Sequence, residues 1–552
     1  MTFSLLEPDR NTYHLWRRFS MPTTGGSRDA IAVPSVVANN LNSAYTFLVS
    51  MIVLHTWVLI LFALLWWYIR RRKRRGHSTE VGKDIWNAKA SPLDVAKVTA
   101  ITYKNQRKQW SMLLWMTLAF CILVANYAIP IEVAPYIILD NAAPVAADAI
   151  YVPSLVGGSM VDFIKLFYLE APSAFRAVGG AQTTIPNQTG QVSVDNPVLL
   201  QDLGDGEAIM SVGYRYSVTG VDLGLQHYPE LVLNVEGSCT TDYGTYLQQS
   251  KSDGTIVDTY LLWPGNPDYE LAINVSLFDG PFPQGFLRIG PPSPTGPPGN
   301  ITYAAIVSSL NRWSVTEGTD PWYLTSLVDG GPYYQVRDQR PTLSCWQNDV
   351  WSYKGHNSTI TELNSGALPG LNLPGGLQAI LANSLSEPLI INLATYLGPQ
   401  ALASTATSLG LYFDANVSSF HSDIQRLVIA SYVASANTLT ESTLFAEDRL
   451  DVPNFALGDD GQVLPGADNF VIWSSQVGTL SVRTLIIIPV IALALFLIVL
   501  YVIEFRHPLG REEDDQPEDS ANEPEDSTNE PEDVEKGLVD NGQPRSNGVQ
   551  YR

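Results

Sequence analysis

Three stretches of this chain, 44–69, 110–131 and 485–503, contain no Asp, Glu, Lys or Arg. A hydrocarbon core of about 30 Å needs roughly 20 apolar helical residues, and only closed hydrogen-bonded structures such as helices satisfy their backbone there. Core helices of soluble proteins rarely stay uncharged over such lengths. The stretches predict a membrane protein with three transmembrane α-helices. Pro489 near the start of the third is tolerable in a first helical turn, which lacks intrahelical donors. Pro130 and Glu132 mark where the second leaves the hydrocarbon. Charged residues make up only 16% of the chain, against roughly 25% in ordinary soluble domains.

Orientation follows from the basic residues. Arg70 to Arg75 reads RRRKRR, and the loop 70–109 carries 12 Lys/Arg against 3 Asp/Glu. Short basic loops stay cytoplasmic. Trp66, Trp67 and Tyr68 flank that run as an interfacial aromatic belt. This reading puts 1–43 outside, 70–109 inside, 140–483 outside and the tail 506–552 inside. No cleavable signal peptide is expected, because the first apolar run is too long and its basic flank follows it.

Sequons at Asn187, Asn274, Asn300, Asn357 and Asn416 all fall in 140–483, as glycosylation of an outer domain requires. Cys239 and Cys345 lie there too. In an oxidising lumen they would pair, closing a loop of about 105 residues worth about 4 kcal/mol in the loop-closure model. The alternative is two buried free thiols. Cys121 is then a small apolar residue of the second span.

The outer segment carries 33 acidic and 12 basic residues. Its first part alternates like strands. Met210, Val212, Tyr214, Tyr216 and Val218 share one face, and Leu271, Ile273, Val275 and Leu277 share another, which sets Asn274 on a polar face. Further strands are expected at 231–236, 256–263 and 301–308. The last part turns helical, at 377–385, 389–397 and from Phe420 onward with Ser418 or Ser419 as cap. The expectation is a large α+β extracytoplasmic domain, β-rich over about 181–353 and helical after it, as one domain or two.

Catalytic signatures are missing: no nucleophile elbow, zinc helix or phosphate loop occurs. The outer histidines, His227, His356 and His421, are scattered, so neither a metal nor a cofactor is expected. A net charge of −22 argues against nucleic acid. Paired carboxylates for glycoside hydrolysis would be hidden among so many acids. Nine aromatics crowd 303–353; they are core, or a surface that stacks on sugars or a protein. His55 and Asn126 make a poor intramembrane transport path. In the loop, Ser91-Pro92-Leu93-Asp94 starts a helix whose Lys97, Lys104, Arg107 and Lys108, with RRRKRR, either hold anionic lipid or fix topology. The acidic tail repeats PEDSANE and PEDSTNE. It is expected to be disordered, with Ser520 and Ser527 as phosphorylation sites for acid-directed kinases.

Glu236-Gly237-Ser238-Cys239-Thr240-Thr241-Asp242-Tyr243 after a strand, with Trp86 and Ser91-Pro92-Leu93 between the first two spans, resembles uncharacterised three-pass membrane glycoproteins of filamentous fungi. The resemblance implies a fungal surface or endomembrane protein; the expected localisation is a multi-pass membrane protein, at the plasma membrane rather than an endomembrane. It carries over no catalytic residue. The expected function is a non-enzymatic surface glycoprotein whose outer domain binds cell-wall glycan or a membrane protein partner. The alternatives are a membrane-anchored enzyme acting on glycans, and an accessory subunit of a transporter or biosynthetic complex.

Overall fold

The computed structural model describes residues 7–505 except 75–79, 106–109, 155–158, 183–189, 253–254, 277–283, 295, 309–312, 364, 410–411 and 446–451. Helices α1 (Ser35–Lys73), α2 (Glu80–Asn87), α3 (Pro92–Asn105) and α4 (Trp110–Ile137) come first. Helices α5 (Met160–Ala181), α6 (Gly375–Leu385), α7 (Leu389–Leu397), α8 (Phe420–Glu441) and α9 (Val482–Phe505) follow. Of these, α1, α4 and α9 are long and apolar enough to cross a membrane.

All three outrun the apolar stretches that announce them. Helix α1 begins at Ser35, and α4 continues through Pro130 and Pro135 to Ile137. Pro489 needs a correction. It lies inside α9, which starts at Val482, and not in the first turn. A proline there has no N–H for the carbonyl four residues back. That carbonyl is Leu485 O, and the Tyr45 hydroxyl of α1 donates to it at 2.8 Å.

One antiparallel sheet gathers the same ends of all three helices. Its strand order is Arg18–Thr23, Gly26–Pro34, Val477–Ser481, Ile138–Asp140. Gly26–Pro34 runs directly into α1, Val477–Ser481 into α9, and Ile138–Asp140 leaves α4. The N-terminal segment is therefore part of this collar and lies on the same side as the large domain. Val33, Ala38, Val49, Ile137, Leu480 and Ile488 form its buried core. Gly478 is required at the crossing with α1, because a Cβ there would run into the Ala38 side chain. At the other end of the long helices, α2 and α3 fold back. Trp57, Leu61, Leu65 and Ile69 of α1 close over Val81, Ile85 and Trp86 of α2 and over Met112 and Trp115 of α4.

The large domain is built on an eight-stranded antiparallel sheet. Its main path runs Gln284–Gly290, Ile301–Ser308, Thr342–Tyr353, Val232–Asp242, Glu207–Thr219, Val192–Val194. The alternation read from Met210 to Val218 is real: Val212, Tyr214, Tyr216 and Val218 are buried and Arg215 is exposed. Those buried side chains face α8, where the Tyr216 and Tyr432 rings meet edge to face at 6.1 Å. Ser419 caps α8 by accepting from Ser422 N at 3.1 Å. Strand residues and residues of α5 to α8 share one continuous apolar core. The β-rich and helical parts are thus one α+β unit.

The Tyr45–Leu485 contact makes a coupled prediction. Replacing Tyr45 by Phe leaves a carbonyl unpaired in an apolar setting and should cost about 1–2 kcal/mol of stability in detergent. In a Pro489→Ala background, which restores the intrahelical donor, the same replacement should cost clearly less. Equal costs in both backgrounds would refute the pairing.

Candidate functional site

A cleft of about 440 Å³ opens between α5, α7 and α8. The strap Val152–Ser154, the end of α6 and the residues after α8 close it. Helical spacing delivers its side chains. Asn392 and Tyr396 are one turn apart on α7. Ala434, Thr438 and Glu441 line one face of α8, and Glu170, Ser173 and Ala174 line α5. Helix α5 is anchored for this by Ser159, which accepts from Asp162 N at 3.1 Å, and by its buried face, including Leu169, Ala174, Ala177 and Val178.

Two glutamates of the cleft stand in opposite environments. Glu441 is gripped by Arg176, whose Nε lies 3.0 and 3.1 Å from the two carboxylate oxygens and whose Nη2 also donates to Oε2. Both side chains of this pair are largely shielded from solvent. Among the described residues no such cation pairs with Glu170. Burial pushes its pKa above the usual carboxylate range, and a hydrogen bond from Tyr396 opposes that only in part. Burial and the neighbouring Glu170 hold the Tyr396 hydroxyl protonated. The remaining lining mixes hydroxyls and amides (Ser154, Ser173, Ser384, Asn383, Asn392) with the ring of Phe445. Donors, acceptors, a carboxyl whose pKa burial raises, and aromatic surface thus converge in one concavity.

Other buried or half-buried carboxylates do structural work. Asp320 accepts from Trp322 N at 2.9 Å and from Phe420 N at 3.1 Å, tying a loop to the start of α8. Asp423 accepts from Ser404 N at 2.9 Å and from the Tyr323 hydroxyl at 2.5 Å. Asp349 accepts from Gln347 at 2.8 Å. None of them lines the cleft. Among the described residues no cluster of metal-ligating side chains forms.

The residues singled out from sequence fare differently. Cys239 and Cys345 face each other on neighbouring strands and form a disulfide. Cys121 is free, on an exposed face of α4. Asn357, after the Tyr353-Lys354-Gly355-His356 turn, and Asn416 are exposed. Asn300 is 5% exposed, and its amide nitrogen donates to Ser293 O at 2.9 Å and Pro297 O at 2.7 Å. Asn274 sits in the strand Leu271–Ser276, but its side chain lies outside the described residues, as do Asn187, Ser520, Ser527 and the whole tail. The aromatic-rich segment is mostly core. Tyr303, Trp322, Tyr323, Trp351 and Tyr353 are buried, whereas Trp313 and Tyr333 are half-buried, with their rings 5.1 Å apart. Sequence reading missed α5, Glu170, Tyr396 and Glu441. The available signal was the buried stripe Leu169, Ala174, Ala177 and Val178 on α5, blurred by Pro172 and by exposed Ile164, Tyr168 and Phe175 on its other face.

The buried aspartates set a pH dependence. Burial raises Asp320 to about 7, and Asp349 and Asp423 each to about 6, against an ordinary value near 3.8. The folded chain therefore binds more protons than the unfolded chain between about pH 4 and pH 7. Its stability is highest at the acid end and falls as pH rises through 6 and 7. The unfolding midpoint should be several degrees higher at pH 5 than at pH 8, and Asp320→Asn should flatten that slope. A midpoint that climbs from pH 5 to pH 8 would contradict the assignment.

No curated protein and no solved structure matches the chain. The family model described as Domain of unknown function (DUF8406) matches residues 171–472, which take in α6 to α8, the main sheet and all of the cleft glutamates and tyrosine except Glu170, and the chain belongs to that family.

Proposed function

We propose that this is a multi-pass glycoprotein of the plasma membrane, with both the N-terminal hairpin and the large domain outside. We infer that its outer domain binds a polyhydroxylated ligand, a cell-wall glycan, in the α5–α7–α8 cleft. The observation that carries this reading is the lining of the cleft. Sugar rings present paired donors and acceptors around an apolar face. The Ser, Asn and Glu side chains beside Tyr396 and Phe445 answer both features. The resemblance to fungal membrane glycoproteins supports a wall polysaccharide as the source of that ligand. The basic loop after α1 supports the orientation.

One observation favours a catalytic second reading. Glu170 is held towards its protonated form while Glu441 is paired with Arg176, and such a division of roles between two carboxyls underlies glycoside hydrolysis.

Both readings meet the same experiment. The full chain in detergent, titrated with soluble wall oligosaccharides, should bind one class at least tenfold more tightly than Glu170→Ala or Tyr396→Ala variants do. Release of new reducing ends, lost in Glu170→Gln while binding persists, would select the enzyme. Failure of every oligosaccharide to bind would refute the glycan reading.

Orientation and modification are tested separately. On expression in a glycosylating host, removal of N-glycans should shift gel mobility. Asn357→Gln and Asn416→Gln should each abolish one step, and Asn300→Gln should abolish none. Absence of any shift would overturn the outward placement of the domain.

A further inference from the structure

The basic end of α1 is built as more than a topology signal. Arg70, Arg71 and Arg72 each lie over the aromatic ring one turn earlier. Their guanidinium carbons are 4.8 Å from the Trp66 ring, 5.3 Å from Trp67 and 5.3 Å from Tyr68. Stacking occupies the face of a guanidinium, and for the exposed Arg70 and Arg71 the in-plane N–H donors stay accessible to the surroundings. A guanidinium held in this way loses less freedom when it binds phosphate than a free side chain does. Arg70, Arg71, Trp66 and Trp67 are exposed, so this array meets the surroundings of the helix and not its core.

The array stands on a rigid base. Trp86 of α2 is buried against Phe62 of α1, with ring centroids 6.0 Å apart, and Lys89 lies over the other part of that indole at 4.9 Å. Ile69 packs on Gly82 so closely that a Cβ there would approach it to 3.0 Å. Arg74 donates from its backbone to Arg70 O and Arg72 O, closing the helix. The charge balance is one-sided. Among the described residues from 70 to 105, nine Lys/Arg face Glu80, Asp84 and Asp94. The negative end of the α1 dipole, about half a charge, does not cancel that excess.

We propose that the stacked, exposed Arg70 and Arg71 at the end of α1 bind the phosphate headgroup of an anionic phospholipid, in the leaflet where α1 leaves the membrane. The aromatic rings sit at headgroup depth, and the guanidiniums they carry reach the phosphate in forked geometry. This goes beyond the outer cleft and rests only on reading α1 as a membrane span.

The test uses the full chain reconstituted in phosphatidylcholine vesicles, with trace spin-labelled phosphatidylserine or phosphatidylcholine. The motionally restricted fraction of each label is read by electron paramagnetic resonance. The anionic label is expected to be preferred at least threefold. The preference should fall by half or more in Arg70→Lys/Arg71→Lys/Arg72→Lys, which keeps charge but loses the fork, and in Trp66→Ala/Trp67→Ala, which keeps the arginines but loses the stack. Variants count only if the Cys239–Cys345 bridge still forms and the unfolding midpoint is unchanged. No preference in the native chain, or an undiminished preference in both variants, would overturn the proposal. Loss of the preference on adding millimolar inorganic phosphate at constant ionic strength would also overturn it, by assigning the site to a soluble anion.

Discussion

The antiparallel pairing of Gly26–Pro34 with Val477–Ser481 is the contact on which the rest of the architecture depends. Each of those strands feeds a long apolar helix, and the third, α4, ends in the strand Ile138–Asp140 on the far side of Val477–Ser481. Three helices that would otherwise associate only through van der Waals contacts and a few polar bonds in lipid are thereby registered by a hydrogen-bonded sheet at one end. The same sheet sets the large domain directly on one end of the helix bundle. Thr479 lies in the sheet and also bonds both the N–H and the carbonyl of Ala142, where the chain turns into the large domain. The domain is therefore not a tethered module on a linker.

That arrangement explains local features that look like defects in isolation. Pro489 breaks a hydrogen bond inside α9, and the freed carbonyl meets Tyr45 of α1. The exposed Tyr136 carbonyl near the end of α4 accepts from Thr484 at 3.0 Å. Polar groups between the long helices are handled in the same way: Asn126 accepts from Ser50 across the α1–α4 contact at 2.8 Å. These are inter-helix fasteners among apolar surroundings, where an unpaired polar group is costly.

How much of this was legible in the residues depended on the range of the signal. The three long apolar helices were legible because each stays uncharged for about the length that crossing a lipid core requires. The strand from Met210 to Val218 was legible because one face is buried and the period is two. The collar was not, since residues 26–34 and 477–481 find each other across most of the chain and neither carries a pairing signal. Helix α5 was hidden because both its faces are apolar and Pro172 interrupts its pattern. A sequon is three residues long, so it could not report that the 291–300 segment folds back to bury Asn300. The cleft was illegible for the same reason as the collar: Glu170, Tyr396 and Glu441 come from three separate helices.

The collar is most directly tested by trapping its central pair. Ala30 and Ser481 are register partners, so the Ala30→Cys/Ser481→Cys chain, with a protease site placed in the 70–109 loop, should bridge spontaneously. After cleavage the N-terminal fragment should then stay covalently joined to the rest under non-reducing conditions and separate on reduction. Two cysteines that stay reduced and label freely with a membrane-impermeant maleimide would show that the N-terminal hairpin is not held in the sheet, and would contradict the account of how the three helices and the large domain are joined.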